Sequence, residues 1–171
     1  MQERTGIVTL NGKPLTLLGT QIKVGQVAPG FKLLDAGFKE IALSTAKTKV
    51  KLISVTFSLE TPVCDQQTRN FEEAVGKYTN TIGYSVSMDL PFTLGRYAKE
   101  HAIRNLKLVT DYRETAFGLA YGVLIKENRL LARSVFIVDA DNKIAYVEYV
   151  KDITLQPDYA GAFKVLDKLG S

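Results

Sequence analysis

At the start of the chain, apolar and polar side chains alternate. Gly6-Ile7-Val8-Thr9-Leu10 and Lys13-Pro14-Leu15-Thr16-Leu17 flank Asn11-Gly12. An Asn-Gly pair between two alternating runs is a strong hairpin signal, so residues 6–18 are expected to form an N-terminal β-hairpin. A turn-rich connector over 23–30 ends in Ala28-Pro29-Gly30, and Phe31-Lys32-Leu33-Leu34 reads as a short strand. The pattern changes at Lys49. Residues 50–57, Val-Lys-Leu-Ile-Ser-Val-Thr-Phe, are strand-like and nearly apolar in their second half, as buried parallel strands are.

Thr61-Pro62 then supplies an N-cap and a proline in the first helical position. Gln67, Phe71, Ala74 and Val75 follow at helical spacing. The same reading predicts a strand over 82–88, closed by Asp89-Leu90-Pro91. A helix opens at Pro91, runs through Leu94, Tyr97 and Ala98, and fades near His101. A strand over 106–109, a short helix over 114–121 and a hairpin of 134–138 with 144–150 come next, and an amphipathic helix over 158–169 closes the chain. Alternating strands and helices imply an α/β fold, a central sheet with helices on both faces, and the late hairpin makes that sheet mixed. No internal repeat or second domain is visible, so residues 1–171 are expected to form one domain.

Composition narrows the chemistry. Apolar residues make up 46% of the 171 and charged residues 23%, enough to close a core without metals or disulfides. The single Cys excludes an intrachain disulfide, a CxxC pair and a cysteine-rich zinc site. The single His excludes multi-histidine metal centres, so no metal or cofactor is expected. A net charge of +4 with scattered Lys and Arg gives no nucleic-acid stripe. No apolar run approaches the roughly 18 residues of a membrane span. No apolar stretch of a signal peptide follows Met1, and an unpaired thiol suits a reducing compartment, so the expected location is the cytoplasm.

Cys64 is the residue to weigh first, because free cysteines are commonly buried core residues. Its context points elsewhere. It lies in the first turn of the helix capped at Thr61, where unpaired amides and the helix dipole favour a thiolate. That turn follows a strand end, at the crevice where α/β folds place ligands. Thr61, three residues earlier, brings a hydroxyl into the same space. His101 near a helix end reads as solvated or C-capping, Asp139-Ala140-Asp141-Asn142 as a hairpin turn, and the isolated Gly83, Gly95 and Gly118 form no phosphate loop.

The segment Thr61-Pro62-Val63-Cys64-Asp65-Gln66-Gln67-Thr68-Arg69 resembles the peroxidatic-cysteine segment of the thiol peroxidase branch of the peroxiredoxins. Ser87-Met88-Asp89-Leu90-Pro91-Phe92, Tyr121-Gly122-Val123 and the run Leu130-Leu131-Ala132-Arg133-Ser134-Val135-Phe136-Ile137-Val138-Asp139 extend that resemblance nearly end to end. It implies a thioredoxin-like fold, a hydroperoxide substrate, thioredoxin or another thiol as reductant, and a homodimer. It assigns Cys64 as the nucleophile that becomes a sulfenic acid, Thr61 as its hydrogen-bonding partner, and Arg133 as the active-site arginine. An arginine in so apolar a run needs an anionic partner, and a Cys64 thiolate is one.

Phe57, Val63 and Phe92 are expected to line the substrate pocket, with Leu59 adding to an apolar setting that suits organic hydroperoxides as well as hydrogen peroxide. Two departures from the family pattern stand out. Phe57 occupies the position of a proline four residues before the threonine, and Ala98 occupies the position of the resolving cysteine. Ala98 marks either a one-cysteine enzyme resolved by an external thiol or a deliberate replacement of cysteine. The alternative to catalysis is a redox sensor or binding protein with poor turnover.

Overall fold

A computed structural model describes residues 1–170. Strands β1 (Glu3–Leu10) and β2 (Lys13–Leu18) form the expected hairpin, starting three residues earlier than the alternation implied. Asn11 and Gly12 at its tip have φ of 50° and 77°, the left-handed values that a two-residue primed turn demands. Strands β3 (Lys32–Leu34) and β4 (Glu40–Ala42) follow, with a 3₁₀ turn at Leu43–Ala46. Strand β5 (Val50–Val55) leads to helix α1 (Pro62–Val75), β6 (Thr81–Ser87), α2 (Pro91–Glu100), β7 (Leu106–Thr110) and α3 (Ala116–Ala120). The helix expected from Glu114 begins later, because Thr115 sits ahead of it at φ 55°. Strand β8 (Leu124–Ile125), the hairpin β9 (Ser134–Val138) with β10 (Ile144–Tyr149), and α4 (Tyr159–Leu169) complete the chain.

Seven strands form one mixed sheet in the order β10-β9-β5-β6-β7-β3-β4, in which β5, β6 and β7 are parallel and β9 runs antiparallel to β5. Every residue of β5 and β9 is buried, as central strands covered on both faces must be. On one face Leu52, Leu108 and Ile137 pack under α1, α2 and α4 through Phe71, Leu94 and Leu166. On the other, Ile53, Val86 and Phe136 pack under α3 and the early loops through Phe117, Tyr121 and Phe31. Helices therefore cover both faces, three against one.

The N-terminal hairpin joins β8 in a separate three-stranded sheet, and Val8, Leu15 and Leu17 pack against Ile125, Ala132 and Ile153. Buried Arg4 ties it down by donating to the carbonyls of Gly19 and Gly122 and lying 5.5 Å over the Tyr149 ring. Gly122 is required at that contact. Its φ is 66°, and a Cβ there would lie 2.4 Å from the Thr20 carbonyl oxygen. Among the described residues no helix is long and apolar enough to cross a membrane.

Candidate active site

Helix α1 begins where β5 has just left the sheet. Thr61 has an extended backbone (φ −98°, ψ 145°), Pro62 opens the helix, and the Asp65 amide closes the first turn on the Thr61 carbonyl at 2.9 Å. Thr61 thus occupies the N-cap position, but its hydroxyl does not cap. It donates to the Ser58 carbonyl at 3.0 Å and pins the entering loop instead.

Cys64, in the first turn, is fully buried. Its Sγ accepts from the Ser58 amide at 3.4 Å and from Arg133 Nη1 at 3.3 Å. Arg133 sits just before β9 and is 1% exposed. Its Nε and Nη2 both donate to the Ile153 carbonyl, at 3.1 and 2.7 Å, and Nη1 also donates to Gln67 Oε1 at 2.7 Å. Gln67 in turn donates to Ser54 Oγ at 2.8 Å and to the Val55 carbonyl at 3.3 Å. Among the described residues Arg133 forms no ion pair with a carboxylate. The guanidinium is therefore hydrogen-bonded without a carboxylate partner among the described residues, and one of its donors is aimed at Sγ.

The loop carrying the Ser58 amide is held by Asp89, which accepts from Ser58 Oγ and from the Leu59 amide, both at 2.8 Å. The next residue on α1, Asp65, is fixed from α2. Tyr97 donates its hydroxyl to Asp65 Oδ1 at 2.6 Å, and Arg69 pairs with the same carboxylate at 2.8 Å. Burial and this carboxylate push the Tyr97 hydroxyl pKa well up. His101 caps α2 through its backbone amide, which donates to the Tyr97 carbonyl, and its ring lies 4.2 Å from that of Tyr97.

The three residues expected around a pocket go to different places. Phe57 is half-buried against the N-terminal hairpin cluster. Val63 is half-buried, and its carbonyl accepts from Gln156 Nε2 at 3.2 Å. Phe92 is 74% exposed and meets Phe38 edge-on at 5.7 Å. Ala98 is half-buried on the face of α2 that carries Leu94, and Cys64 is free. Sequence reasoning missed Ser58, Gln67 and Asp89. Gln67 was findable, because it lies one helical turn after Cys64 and shares its face. Ser58 was not, because what it offers Sγ is a backbone N–H.

The Redoxin family model matches residues 23–166. Thiol peroxidases of Halalkalibacterium halodurans and Bacillus subtilis are 43% and 44% identical, over 92% and 89% of this chain and 95% and 91% of their own lengths. Among solved structures, a peroxiredoxin-like protein from Aquifex aeolicus matches with a TM-score of 0.89 at 37% identity, covering 98% of this chain and 99% of its own. A thiol peroxidase from Chromobacterium violaceum matches with a TM-score of 0.83 at 24% identity, covering 94% and 95%, which bears on the fold alone.

Proposed function

The chain belongs to the Redoxin family, among its thiol peroxidases with the thioredoxin-like peroxiredoxin fold, and from that premise we propose that Cys64 is the nucleophile with which it reduces peroxides. One observation carries the assignment: the sole cysteine accepts from a buried arginine that has no carboxylate partner among the described residues. The sulfur lone pair attacks one peroxide oxygen, the S–O bond forms as the O–O bond breaks, and Cys64 becomes a sulfenic acid. The departing oxygen takes up the proton given up by the thiol and leaves as water or alcohol. Arg133 Nη1, already at Sγ, meets the charge that develops on the departing oxygen. The Ser58 amide holds the sulfur from the other side, and the Thr61 hydroxyl turns from the Ser58 carbonyl to the incoming peroxide. Because Cys64 is fully covered, that approach requires the groups around Sγ to shift.

Phe57 and Val63, both half-buried, and the exposed Phe92 are the apolar residues assigned to the peroxide's substituent in this reading. Ala98 offers no second thiol, so the sulfenic acid is reduced by thioredoxin or another external thiol. The enzyme works as a homodimer in the cytoplasm. Residues 1–171 act as one domain with the hairpin 6–18 as an extension, a reading supported by the Arg4 bonds and the third apolar cluster. The named relatives favour catalysis over the sensor alternative. Stopped-flow mixing of the reduced chain with stoichiometric hydroperoxide tests the assignment. Cys64→Ser is expected to abolish the reaction, and oxidation that persists in that variant would return Cys64 to the core.

A further inference from the structure

Strand β5 carries a buried cation of its own, at the end away from Cys64. Lys51, its second residue, is 2% exposed and pairs in the sheet with Val138 of β9 and Ile82 of β6. Among the described residues its ammonium makes no hydrogen bond and no ion pair. Asp139 is the acid that acts on it from nearby, but among the described residues neither of its carboxylate oxygens comes within ion-pair distance of the ammonium. The residue is buried as a whole, but its ammonium is not among the fully covered polar atoms that lack a partner, so it reaches the open space beside it.

Lys51 faces a cavity of about 440 Å³, within the range of small-molecule pockets. Lys47, Ser44, Thr48 and Asn142 stand around the same space, and none of their side chains hydrogen-bonds to the protein among the described residues. Leu43 and Ala140 supply an apolar wall. Asp141 is the one acid in the lining, against two lysines. Ser44, Lys47 and Thr48 are exposed and Lys51 reaches the same space, so two ammonium groups and an apolar wall face one cavity, the arrangement that suits an amphipathic anion.

We propose that this cavity binds a small organic oxyanion, its carboxylate or phosphate group paired with Lys51 and Lys47 and its apolar body resting on Leu43 and Ala140. The site is separate from the peroxide chemistry. It lies at the start of β5, a strand length of about 17 Å from the end that leads to Cys64.

The test is amide NMR on the full chain, titrated with hexanoate, hexyl phosphate and uncharged hexanamide. Saturable shifts are expected at residues 43–51 and 139–142 with at least one anion and not with hexanamide. Lys51→Met should weaken that binding about tenfold or more, as loss of a charge-assisted contact does. Tighter binding of hexanoate assigns a carboxylate ligand, and tighter binding of hexyl phosphate a phosphate. Asp141→Asn removes the opposing acid and should tighten binding, and it decides the matter if Lys51→Met fails to fold. No saturable shift with either anion, equal shifts with hexanamide, or affinity unchanged in Lys51→Met or in Asp141→Asn would overturn the proposal.

Discussion

The two ends of β5 each hold a buried cation, and the protein treats them differently. At the end that leads to Cys64, Arg133 is 1% exposed, yet its donors meet the Ile153 carbonyl, Gln67 Oε1 and Sγ. At the other end Lys51 is 2% exposed and meets none. The planar fork of arginine lets one side chain be anchored on two sides while a third edge stays on the sulfur. Lysine, a point charge on a flexible stem, cannot be held in that way, and burial lowers its pKa. The comparison separates a charge fixed on three partners from a charge that has none.

The sharpest way to break that contrast is at Arg133. Arg133→Met keeps most of the volume and removes the donors, so oxidation by peroxide should slow by about 10²–10³-fold in stopped-flow measurements. An unchanged rate would make the arginine merely structural. Ala98→Cys acts after the first step. It should leave the rate of initial oxidation in place and speed thiol-dependent recycling, with intact-mass analysis showing loss of two hydrogens within one chain in place of overoxidation to sulfinic acid. Equal recycling with and without the added thiol would show that residue 98 is not the resolving position.

Gln67→Leu sharpens the Arg133 end. It leaves Nη1 and Ser54 Oγ each short of a buried partner, which should cost about 1–3 kcal/mol in urea denaturation and also slow oxidation. Lys51→Met should do the reverse, raising stability by less than about 1 kcal/mol near neutral pH because a partly desolvated ammonium without a bonded partner is removed, with peroxide oxidation unchanged. That difference has a pH sign. Native Lys51 loses its proton at lower pH than the unfolded chain does, so between the two pKa values the unfolded state binds more protons and the stability of the wild-type chain rises with pH. The gap between the wild-type chain and Lys51→Met should therefore narrow as pH climbs towards the ordinary lysine value, as denaturation across alkaline pH would show.

Much of this was legible before the structure. The Asn11-Gly12 hairpin, the apolar β5 and the Pro62 and Pro91 helix starts are local signals, and the structure follows them. Strands β4 and β8 left no trace, because three and two residues are too short for a period to show. They exist through their pairing, β4 with the neighbouring β3 through Leu33 and Ile41, and β8 with the distant β2 through Leu17 and Ile125. At the site, Cys64 and Arg133 were named from the chain and now stand 3.3 Å apart. The Ser58 amide and the Ile153 carbonyl were beyond sequence reasoning, because every backbone carries such groups and only the fold aims them. Thr61 shows the opposite error. Its residue type predicts a side-chain cap, but the Ser58 carbonyl competes for its hydroxyl and wins.

The central claim is that one buried thiol, held by Arg133 and the Ser58 amide, performs the reduction. Its most direct test is intact-mass analysis coupled to stopped-flow oxidation of the reduced chain by one equivalent of hydroperoxide. The account predicts rapid gain of a single oxygen, located at Cys64 and trapped by a sulfenic-acid reagent. Oxidation no faster than that of free cysteine, or an oxygen found on a methionine with Cys64 unmodified, would contradict it.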